Sequence, residues 1–490
     1  MSKYISITIG PITRVISKAQ KTRGMWAASY LFSYLAKEII RPFKDREFLL
    51  PMVNEEMFNL KYKGAGVFPD RYIFKANDGD FDNLKTHIDE VFSELATAIS
   101  KPHCDNNEDV KTFLKQTFKV YFFEQERGDR EERAFIEQCE HTLGLLEEQD
   151  TFVPTVVDGK DYLSQFINGD MASMRFLMND AGIGESFKSI VEISSENNAP
   201  FSYKKEDQNL RFPYERYIAI VYADGDSMTQ ALAKVKTSDL SEALFDFNKK
   251  AIGSITEFEG QPVFIGGDDL FFFAPVFHGG KSIFSLLQTL DETFHHSLEE
   301  KNIDGPTLSF GVSVTYYKYP MSEAVILSQK LLGIAKGREP LEKSRFNKTV
   351  FEKKNNVLFS VQKHSGQTRA ALLHKGCTKT LEQFNHLADK YTGLSVGNED
   401  DGKKMLSSVM HNLREHEPIL VNAIHNKDLL QNYFASYYNE SGHDVYKGFF
   451  GELADLLYVA CTEYGDACSA LDLSYSLLQF IHLVNSKRDE

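Results

Sequence analysis

This chain of 490 residues has few cysteines and fewer basic than acidic residues. Each of these features argues against a class of protein. The five cysteines form no CxxC pair, and the formal net charge is −15. An odd, sparse cysteine set excludes a disulfide framework and fits a reducing compartment. The negative charge disfavours a protein that binds nucleic acid by itself through a basic surface. We therefore expect any nucleic acid to be held mainly by partner subunits.

Long apolar runs and targeting signals are also missing. No stretch approaches the ~20 uncharged apolar residues that a membrane span requires. Residues 1–10 lack a basic region followed by an apolar core. We therefore expect a cytoplasmic protein without membrane contact. With 42% hydrophobic residues, a chain of this length is expected to form about two to four domains.

Two parts of the chain repeat one order of strands and helices. The first part has predicted strands and helices at residues 4–10, 12–40, 48–53, 71–76, 81–99 and 119–126. The second part has them at residues 216–223, 227–255, 262–275 as a hairpin, 282–300 and 307–317. This βαββαβ order is typical of a ferredoxin-like domain, so the chain is expected to carry two diverged copies of one α+β fold.

The remaining segments are helical in pattern. We predict a first ferredoxin-like domain at 1–150, a helical connecting domain at 151–212, a second ferredoxin-like domain at 213–358 and a C-terminal helical bundle at 359–490. The bundle is indicated by apolar residues at helical spacing, such as Leu453, Leu456, Leu457 and Ala460.

Four aspartates lie at two turns of the second domain. Asp224 and Asp226 follow a strand in "VYADGDSM", and Asp268 and Asp269 lie in the hairpin "FIGGDDLFFFAP". In a ferredoxin-like sheet the first and third strands are neighbours, so the two pairs should meet. Converging carboxylates repel unless a cation lies between them, which predicts a divalent metal with oxygen ligands, Mg²⁺ or Mn²⁺. The alternative is that the aspartates are ordinary turn residues.

The glycines beside these acids have a predicted role as well. Gly266 and Gly267 allow the positive φ angles of a tight turn and leave room for a phosphate to approach the backbone. Two metal ions at such a site would clamp both oxygens of an in-line phosphoryl displacement. A second phosphate motif is rejected: "HGGKS" at 278–282 resembles the end of a P-loop, but Pro275 stands where that motif needs glycine.

These motifs, in this order, resemble the large polymerase/cyclase subunit of type III CRISPR effector complexes, which has two palm domains related to GGDEF-type cyclases. The resemblance covers most of the chain and is type III-B-like. Its residues are "SITIGPITRVISKAQKTRGMWAASYLFSYL" (6–35), "GESFKSIVEIS" (184–194), "YADGDSM" (222–228), "IGGDDLFFFAP" (265–275), "LSFGVSVTYYKYPMSEAV" (308–325) and "LLGIAKG" (331–337).

The resemblance implies roles for individual residues of the second palm. Asp224, Asp268 and Asp269 would be catalytic, with Asp224 and Asp269 as the first choice of metal ligands. The remaining implied contacts are Asp226 and the Gly225 carbonyl as further metal ligands, Ser309 near a nucleotide base and Lys336 on the triphosphate. The alternatives are an ordinary strand position for Ser309 and a solvated helix end for Lys336.

The first palm lacks a glycine-glycine-acid turn, so it should hold a second substrate and not the catalytic metals. Its first helix carries candidate phosphate or base contacts at Lys18, Lys21, Arg23, Trp26 and Ser29. The alternative is a solvated basic face above a core tryptophan.

An acidic pair is unexpected in that first palm. Asp70, in "FPDRY", stands where we expect asparagine, and Glu124 lies in the fourth strand. Carboxylates would suit a cationic cosubstrate, and some relatives join ATP to S-adenosylmethionine. The alternative is that both are surface acids.

Two departures from the family narrow the expected function. The chain starts directly at the first palm without the histidine-aspartate nuclease domain of many members, and His443-Asp444 has no companion histidines. We therefore do not expect DNA cleavage. The pairs His103-Cys104 and Cys139–His141 match structural zinc spacing poorly, so zinc is not expected.

The function implied is an RNA-activated nucleotidyltransferase that makes a cyclic oligoadenylate from ATP and releases pyrophosphate. Its partners would be the other subunits of a type III complex, with CRISPR RNA and target RNA bound through them. The alternatives are conjugation of ATP to S-adenosylmethionine and an inactive scaffold. A free-standing cyclase would not need the degenerate first palm, and a template-dependent polymerase would need a basic channel.

Overall fold

The structure is a computed structural model that describes most of the chain. The described residues are 2–10, 15–16, 18–19, 21–59, 64–103, 105–148, 157, 159–184, 187–195, 212–338, 354–362, 368–392, 399–436 and 448–485. Two sequence features, Cys104 and the pair His443-Asp444, lie outside these residues.

The first domain is a four-stranded antiparallel sheet with helices on both faces. Its strands have the spatial order β2-β3-β1-β4 and span Lys3–Gly10 (β1), Phe48–Leu50 (β2), Arg71–Lys75 (β3) and Lys119–Glu126 (β4). Its helices are Thr22–Ile40 (α1), Glu55–Asn59 (α2), Asp80–Ser100 (α3), Asn107–Thr117 (α4) and Glu132–Glu148 (α5). The predicted ferredoxin-like order is confirmed. The helix predicted from residue 12 is present as α1 from Thr22, and residues 15–16 before it are also helical.

Alternation along β1 explains how both faces of this sheet are covered. Ile5, Ile7 and Ile9 belong to the main apolar core. Tyr4 faces the opposite side, where its ring lies 5.1 Å from that of Phe135 on α5. Successive side chains of a strand point to opposite faces, so one strand contributes to two apolar layers.

Short helices connect the two sheets. They are Tyr162–Ile167 (α6), Arg175–Ala181 (α7) and Ile190–Ser194 (α8). Asp180 on α7 accepts hydrogen bonds from Tyr30 and Lys37 of α1, and Asp161 before α6 pairs with Lys18 at 2.6 Å. The connecting segment therefore packs against the first helix of the first domain.

The second domain repeats the ferredoxin-like arrangement and extends it by two strands. Its sheet has the order β12-β11-β10-β5-β7-β6. The strands are Tyr217–Asp226 (β5), Gln261–Gly266 (β6), Asp269–Pro275 (β7), Phe277–His278 (β8) and Lys281–Ser282 (β9, paired with β8), Thr307–Tyr316 (β10), Asn356–Gln362 (β11) and Thr368–His374 (β12). The helices are Met228–Leu232 (α9), Thr237–Glu257 (α10), Ile283–Glu299 (α11) and Met321–Ala335 (α12).

Two details of this domain differ from the sequence pattern. The predicted helix at 227–255 is two helices, because residues 233–236 break it between α9 and α10. The predicted boundary between residues 358 and 359 falls inside β11, which pairs in parallel with β10. The sheet therefore continues to His374, and the helical region begins after it.

The C-terminal region is helical from residue 378, as its apolar periodicity predicts. Its helices are Thr378–Tyr391 (α13), Glu399–Glu415 (α14), Glu417–Ala423 (α15), Lys427–Ala435 (α16), Phe449–Tyr464 (α17) and Ala467–Val484 (α18). Helix α18 has the length and apolar composition of a membrane span, which was not expected, but 94% of it is buried inside the protein. It is packed as a core helix.

Asp389 joins the helical region to the second domain. Its carboxylate accepts hydrogen bonds from the backbone N–H and the hydroxyl of Ser282 at 2.7 Å and from the Ser285 hydroxyl. Ser282 precedes α11, so a carboxylate from α13 caps that helix. The P-loop-like "GKS" sequence thus binds a side chain of the protein itself, which agrees with its rejection as a nucleotide motif.

Replacing Asp389 with alanine is expected to lower the free energy of unfolding by about 1–2 kcal/mol, the usual value of a helix N-cap. The loss arises because the N–H of Ser282 and the hydroxyls of Ser282 and Ser285 lose their acceptor. Denaturant unfolding followed by circular dichroism measures it. Glu382→Ala removes an exposed acid from the same helix and should change stability by less than about 0.5 kcal/mol. Equal stability of the two variants would contradict the capping role.

Candidate functional site

The four aspartates of the two turns meet at one end of the second sheet. Strand β5 ends in Asp224–Asp226, and its antiparallel neighbour β7 begins at Asp269. Gly266 pairs with Asp269, so Gly267 and Asp268 form a two-residue turn with Gly267 at φ +61°. A glycine adopts that left-handed conformation without a steric cost. The predicted convergence of the two motifs is therefore present in the fold.

Gly225 determines how closely the two turns approach. A Cβ atom at this position would lie 2.7 Å from both Cβ and Oδ2 of Asp268. Real Cβ contacts are not that short, so any side chain here would push the hairpin away from the end of β5. The glycine in "ADGD" is needed for packing against the hairpin.

Two basic residues at the end of α12 neutralise Asp224. Lys336 caps the helix, is 6% exposed, and places Nζ 2.5 Å from Asp224 Oδ2 and 2.6 Å from the Gly225 carbonyl oxygen. Arg338 Nη2 lies 3.0 Å from the same carboxylate oxygen. The lysine therefore contacts two of the five groups that were predicted to bind metal. No role was predicted for Arg338 from the sequence, although a second basic residue two positions after Lys336 could have indicated one.

Burial and the close approach of several carboxylates change the pKa values of the hairpin aspartates. Burial raises the pKa of Asp268 to about 6, and the charge of Asp224 adds to the shift. Burial also raises the pKa of Asp269, followed by the charges of Asp268 and Asp224. The Asp269 side chain is accessible from the cleft between the domains although protein surrounds it on most sides. Burial and the neighbouring carboxylates therefore both favour the protonated form of the pair.

Asp226 has a different environment from the other three acids. It is 1% exposed, and its Oδ2 accepts hydrogen bonds from the Thr307 hydroxyl (2.9 Å), the Ser309 hydroxyl (2.6 Å) and the Asn355 backbone N–H (3.0 Å). Its Oδ1 has no hydrogen-bond partner among the described residues. Asp226 thus forms the buried floor of the site.

Ser309 is part of that floor. It is fully buried, and its hydroxyl also accepts a hydrogen bond from the Asn356 backbone N–H at 3.3 Å. This arrangement supports a role in holding Asp226, and the predicted contact with a base stays a prediction. Asn355 and Asn356 were not found from the sequence, because a residue that donates through its backbone leaves no side-chain pattern.

The oxygen atoms at this site are of the type that a hard divalent cation binds. Carboxylate and carbonyl oxygens are the ligands of Mg²⁺, and the charges of Asp268 and Asp224 both raise the pKa of Asp269. Within the described part of the chain, however, no three acidic, histidine or cysteine side chains surround a common metal position. Lys336 contacts the Asp224 and Gly225 oxygens, so a metal at these oxygens would share them with, or displace, the ammonium group.

A loop of the first domain faces this hairpin. Gly64 O accepts from the Trp26 indole N–H, the Phe68 N–H donates to the Ser33 hydroxyl at 2.9 Å, and Gly66 O accepts from the N–H of Ile265 on β6 at 3.1 Å. A Cβ at Gly66 would lie 2.9 Å from Ser33 Cβ. The loop from Gly64 to Asp70 is thus fixed to both domains. Trp26 is a core residue, in agreement with the structural alternative.

Asp70 ends this loop beside the acidic hairpin of the second domain. Burial raises its pKa, and its charge in turn raises the pKa of Asp269. Both line a cavity of about 270 Å³ between the domains, together with Ser29 and aromatic residues of both palms. A second cavity of about 260 Å³ lies on the other side of the hairpin and is lined by Asp70, Gly267 and Asp268. The hairpin therefore separates two spaces of similar size.

The remaining first-palm candidates lie elsewhere. Glu124 pairs with Lys3 at 2.9 Å on a solvent-facing part of the sheet and lines neither cavity. Lys18 pairs with Asp161, and Arg23 donates to the Gly169 carbonyl at 2.8 Å. The structure thus brings Asp70 and Ser29 to the cleft and leaves Glu124, Lys18 and Arg23 outside it.

Comparison with protein families gives two matches. Residues 217–345 match the family described as Cas10/Cmr2, second palm domain, and residues 4–101 match CRISPR-associated protein Cmr2, N-terminal. No curated protein matches significantly.

Solved structures share the whole architecture at low sequence identity. The apo state of type III-B Cmr-beta is similar with a TM-score of 0.58 and 11% identity, over 98% of this chain and 81% of that one. The Csm1-Csm4 cassette in complex with cA4 has a TM-score of 0.52 and 12% identity, over 99% and 70%. The same cassette in complex with one ATP gives the same values. Identities this low show the fold alone.

Replacing Asp269 with asparagine is expected to stabilise the metal-free protein. The change removes one of three crowded carboxylates, and a like-charge contact at about 4 Å costs about 1–4 kcal/mol between the bulk-water and protein-surface limits. Because the pKa of Asp268 is raised to about 6, the folded protein binds more protons than the unfolded chain between about pH 4 and 6. Wild-type stability should therefore fall as pH rises through that window. Thermal unfolding at about pH 5 and about pH 7.5 without metal measures both effects.

Mg²⁺ or Mn²⁺ should raise the unfolding temperature of the wild type at about pH 7.5 and lose this effect toward about pH 5, where protons compete for the carboxylates. The Asp269→Asn variant should respond less. Asp304→Ala, which removes an exposed acid before β10, should respond as the wild type does. A wild type that does not respond to either cation would contradict metal binding at this site.

Proposed function

We propose that this chain is the nucleotidyltransferase subunit of a type III CRISPR complex, because residues 217–345 match the Cas10/Cmr2 second palm domain and residues 4–101 match the Cmr2 N-terminal family. It would join ATP molecules into a cyclic oligoadenylate. The observation that carries this proposal is the convergence of Asp224, Asp268 and Asp269 between two cavities, beside Lys336 and Arg338. Two substrate spaces on either side of an acidic hairpin suit a reaction that joins two nucleotides.

The second palm would bind the ATP that is attacked. Lys336 and Arg338 supply two positive charges for its triphosphate, and the backbone at Gly266–Gly267 leaves room for phosphate to approach. Asp224, Asp268, Asp269 and the Gly225 carbonyl would hold the divalent cation. When bound, that cation would activate the attacking hydroxyl and stabilise the charge of the leaving pyrophosphate.

The first palm would position the nucleophile. The 3′-hydroxyl oxygen of a second ATP forms a bond to the α-phosphorus, the bond from the α-phosphorus to the bridging β-phosphate oxygen breaks, and pyrophosphate leaves. The hydroxyl proton passes to a carboxylate of the hairpin or to water. The rate gain comes from positioning and charge stabilisation, so no covalent intermediate with the protein is needed.

The similar Csm1-Csm4 structures in complex with ATP and cA4 support ATP as the substrate class. The net charge of −15 supports partner subunits as the main holders of CRISPR RNA and target RNA, because a free-standing RNA-binding surface is normally basic. Activation by bound target RNA is part of the proposal.

A second candidate function rests on Asp70. An acid that faces the hairpin from the first palm would repel a second triphosphate and attract the sulfonium and amine of S-adenosylmethionine. In that reaction a carboxylate or hydroxyl oxygen of S-adenosylmethionine would take the place of the 3′-hydroxyl, and the same bond to pyrophosphate would break. An inactive scaffold is disfavoured because a scaffold would not need three intact carboxylates beside two cations.

Changing both hairpin acids, Asp268→Ala with Asp269→Ala, is expected to lower ATP conversion by about 1,000-fold or more, because several kcal/mol of transition-state stabilisation are lost. Assembly with partner subunits should be unchanged. The assay is mass spectrometry of products from ATP with the RNA-bound complex. Asp304→Ala serves as the matched control and should keep wild-type turnover. Full turnover in the double variant would disprove the proposed site.

Neutralising Asp70 tests the cosubstrate. If S-adenosylmethionine binds in the first palm, Asp70→Asn should lower its use about five- to 100-fold, since a charge contact of about 1–3 kcal/mol is lost. Glu124→Gln should have no effect, because Glu124 pairs with Lys3 away from both cavities. Product mass spectrometry with ATP alone and with both substrates gives the ratio. If the wild type never incorporates S-adenosylmethionine, the ATP-only reaction stands.

A further inference from the structure

The second cavity, on the α10 side of the hairpin, has one unexplained polar group. Apolar side chains of α9 and α10, including Leu240, Leu244 and Phe245, form one wall, and Gly267 with Asp268 forms one end. Asn248 lies on α10 and also lines the cavity. Its side chain is 4% exposed, and its Oδ1 has no hydrogen-bond partner among the described residues.

A buried amide oxygen without a hydrogen-bond partner is rare in folded proteins and normally indicates a structural or functional cause. Ser241 lines the same cavity and accepts a hydrogen bond from the Met52 backbone N–H at 2.6 Å, but its hydroxyl makes no hydrogen bond to Asn248 Oδ1. The bond from Met52 also holds the first domain against α10. Asn248 therefore lines a mostly apolar space next to the hairpin and carries an amide oxygen without a hydrogen-bond partner.

The shape and chemistry of this space suit a purine base. Leucine and phenylalanine walls would cover the faces of the ring, and the end at Gly267 and Asp268 would direct the phosphates toward the carboxylates and Lys336. Adenine presents a donor, its exocyclic amino group, beside the acceptor N7. One asparagine amide can satisfy both at once. Guanine presents two acceptors at that edge and would leave Oδ1 unpaired.

We propose that Asn248 reads the amino group of adenine and so determines the base specificity of the nucleotide bound beside the hairpin. The proposal rests on the proposed nucleotidyltransferase function and adds the residue that selects the base. Oδ1 accepts from the amino group, and the amide NH₂ donates to N7. Ser309 lies on β10, donates its hydroxyl to Asp226 and does not line this cavity.

Equilibrium binding separates this role from general stability. The ligands are ATP, GTP and purine riboside triphosphate, which is ATP without the amino group. The wild-type chain should prefer ATP over purine riboside triphosphate about five- to 100-fold, the range of one well-formed base contact. Asn248→Leu, which fills the same space without polar atoms, should reduce that preference to within about twofold, mainly by weakening ATP.

Two further variants keep the test decisive. Asn248→Ala should lose the same preference if the leucine variant does not fold. Asn385→Leu changes another buried asparagine with an unpartnered Oδ1, on α13 away from both cavities, and should keep the wild-type preference. Retention of the ATP preference by both Asn248 variants would overturn the inference while the proposed function stands. A wild type that binds ATP and purine riboside triphosphate equally would also overturn it. If the wild type binds no nucleotide, the proposed function fails with it.

Discussion

Repulsion among three carboxylates at the end of two neighbouring strands is the constraint on which the rest of the site depends. Asp224, Asp268 and Asp269 are brought together by antiparallel pairing and by a glycine that allows the hairpin to approach within van der Waals distance. The buried ammonium of Lys336 lowers the pKa values of Asp268 and Asp269, but burial and the neighbouring carboxylates together outweigh it.

The floor beneath these acids is rigid and connects to the C-terminal helices. Asn356 donates to the Ala335 carbonyl, one residue before Lys336, and its amide oxygen is hydrogen-bonded to His374 at 2.8 Å. The His374 backbone N–H in turn donates to the hydroxyl of Tyr464 on α17. A buried polar network whose members are paired holds one conformation. The end of α12, and hence Lys336, is thus positioned by residues from β11, β12 and the helical region.

The two domains share a ferredoxin-like arrangement but contribute differently to the cleft, because the second domain supplies three acids from two neighbouring strands. The first palm contributes a loop that is fixed by Trp26, Ser33 and strand β6 and that ends in Asp70. The cleft therefore has acidic groups on both sides and mostly apolar walls. An acidic cleft of this kind favours ligands that carry positive charge.

The repeated βαββαβ order, the two acidic turns and the hairpin glycines were predictable from the sequence, because strand and turn patterns are local and the ferredoxin-like topology fixes which strands are neighbours. Strand β11 was cut by the predicted boundary, since a short apolar strand beside a long helical region gives a weak signal. The separation of Asp70 from Glu124, the partners of Asp226 and the position of Asn248 came only from the tertiary structure. Those features depend on which face of an element a side chain occupies and on how two domains pack, and neither is encoded in the order of residues along one strand or helix.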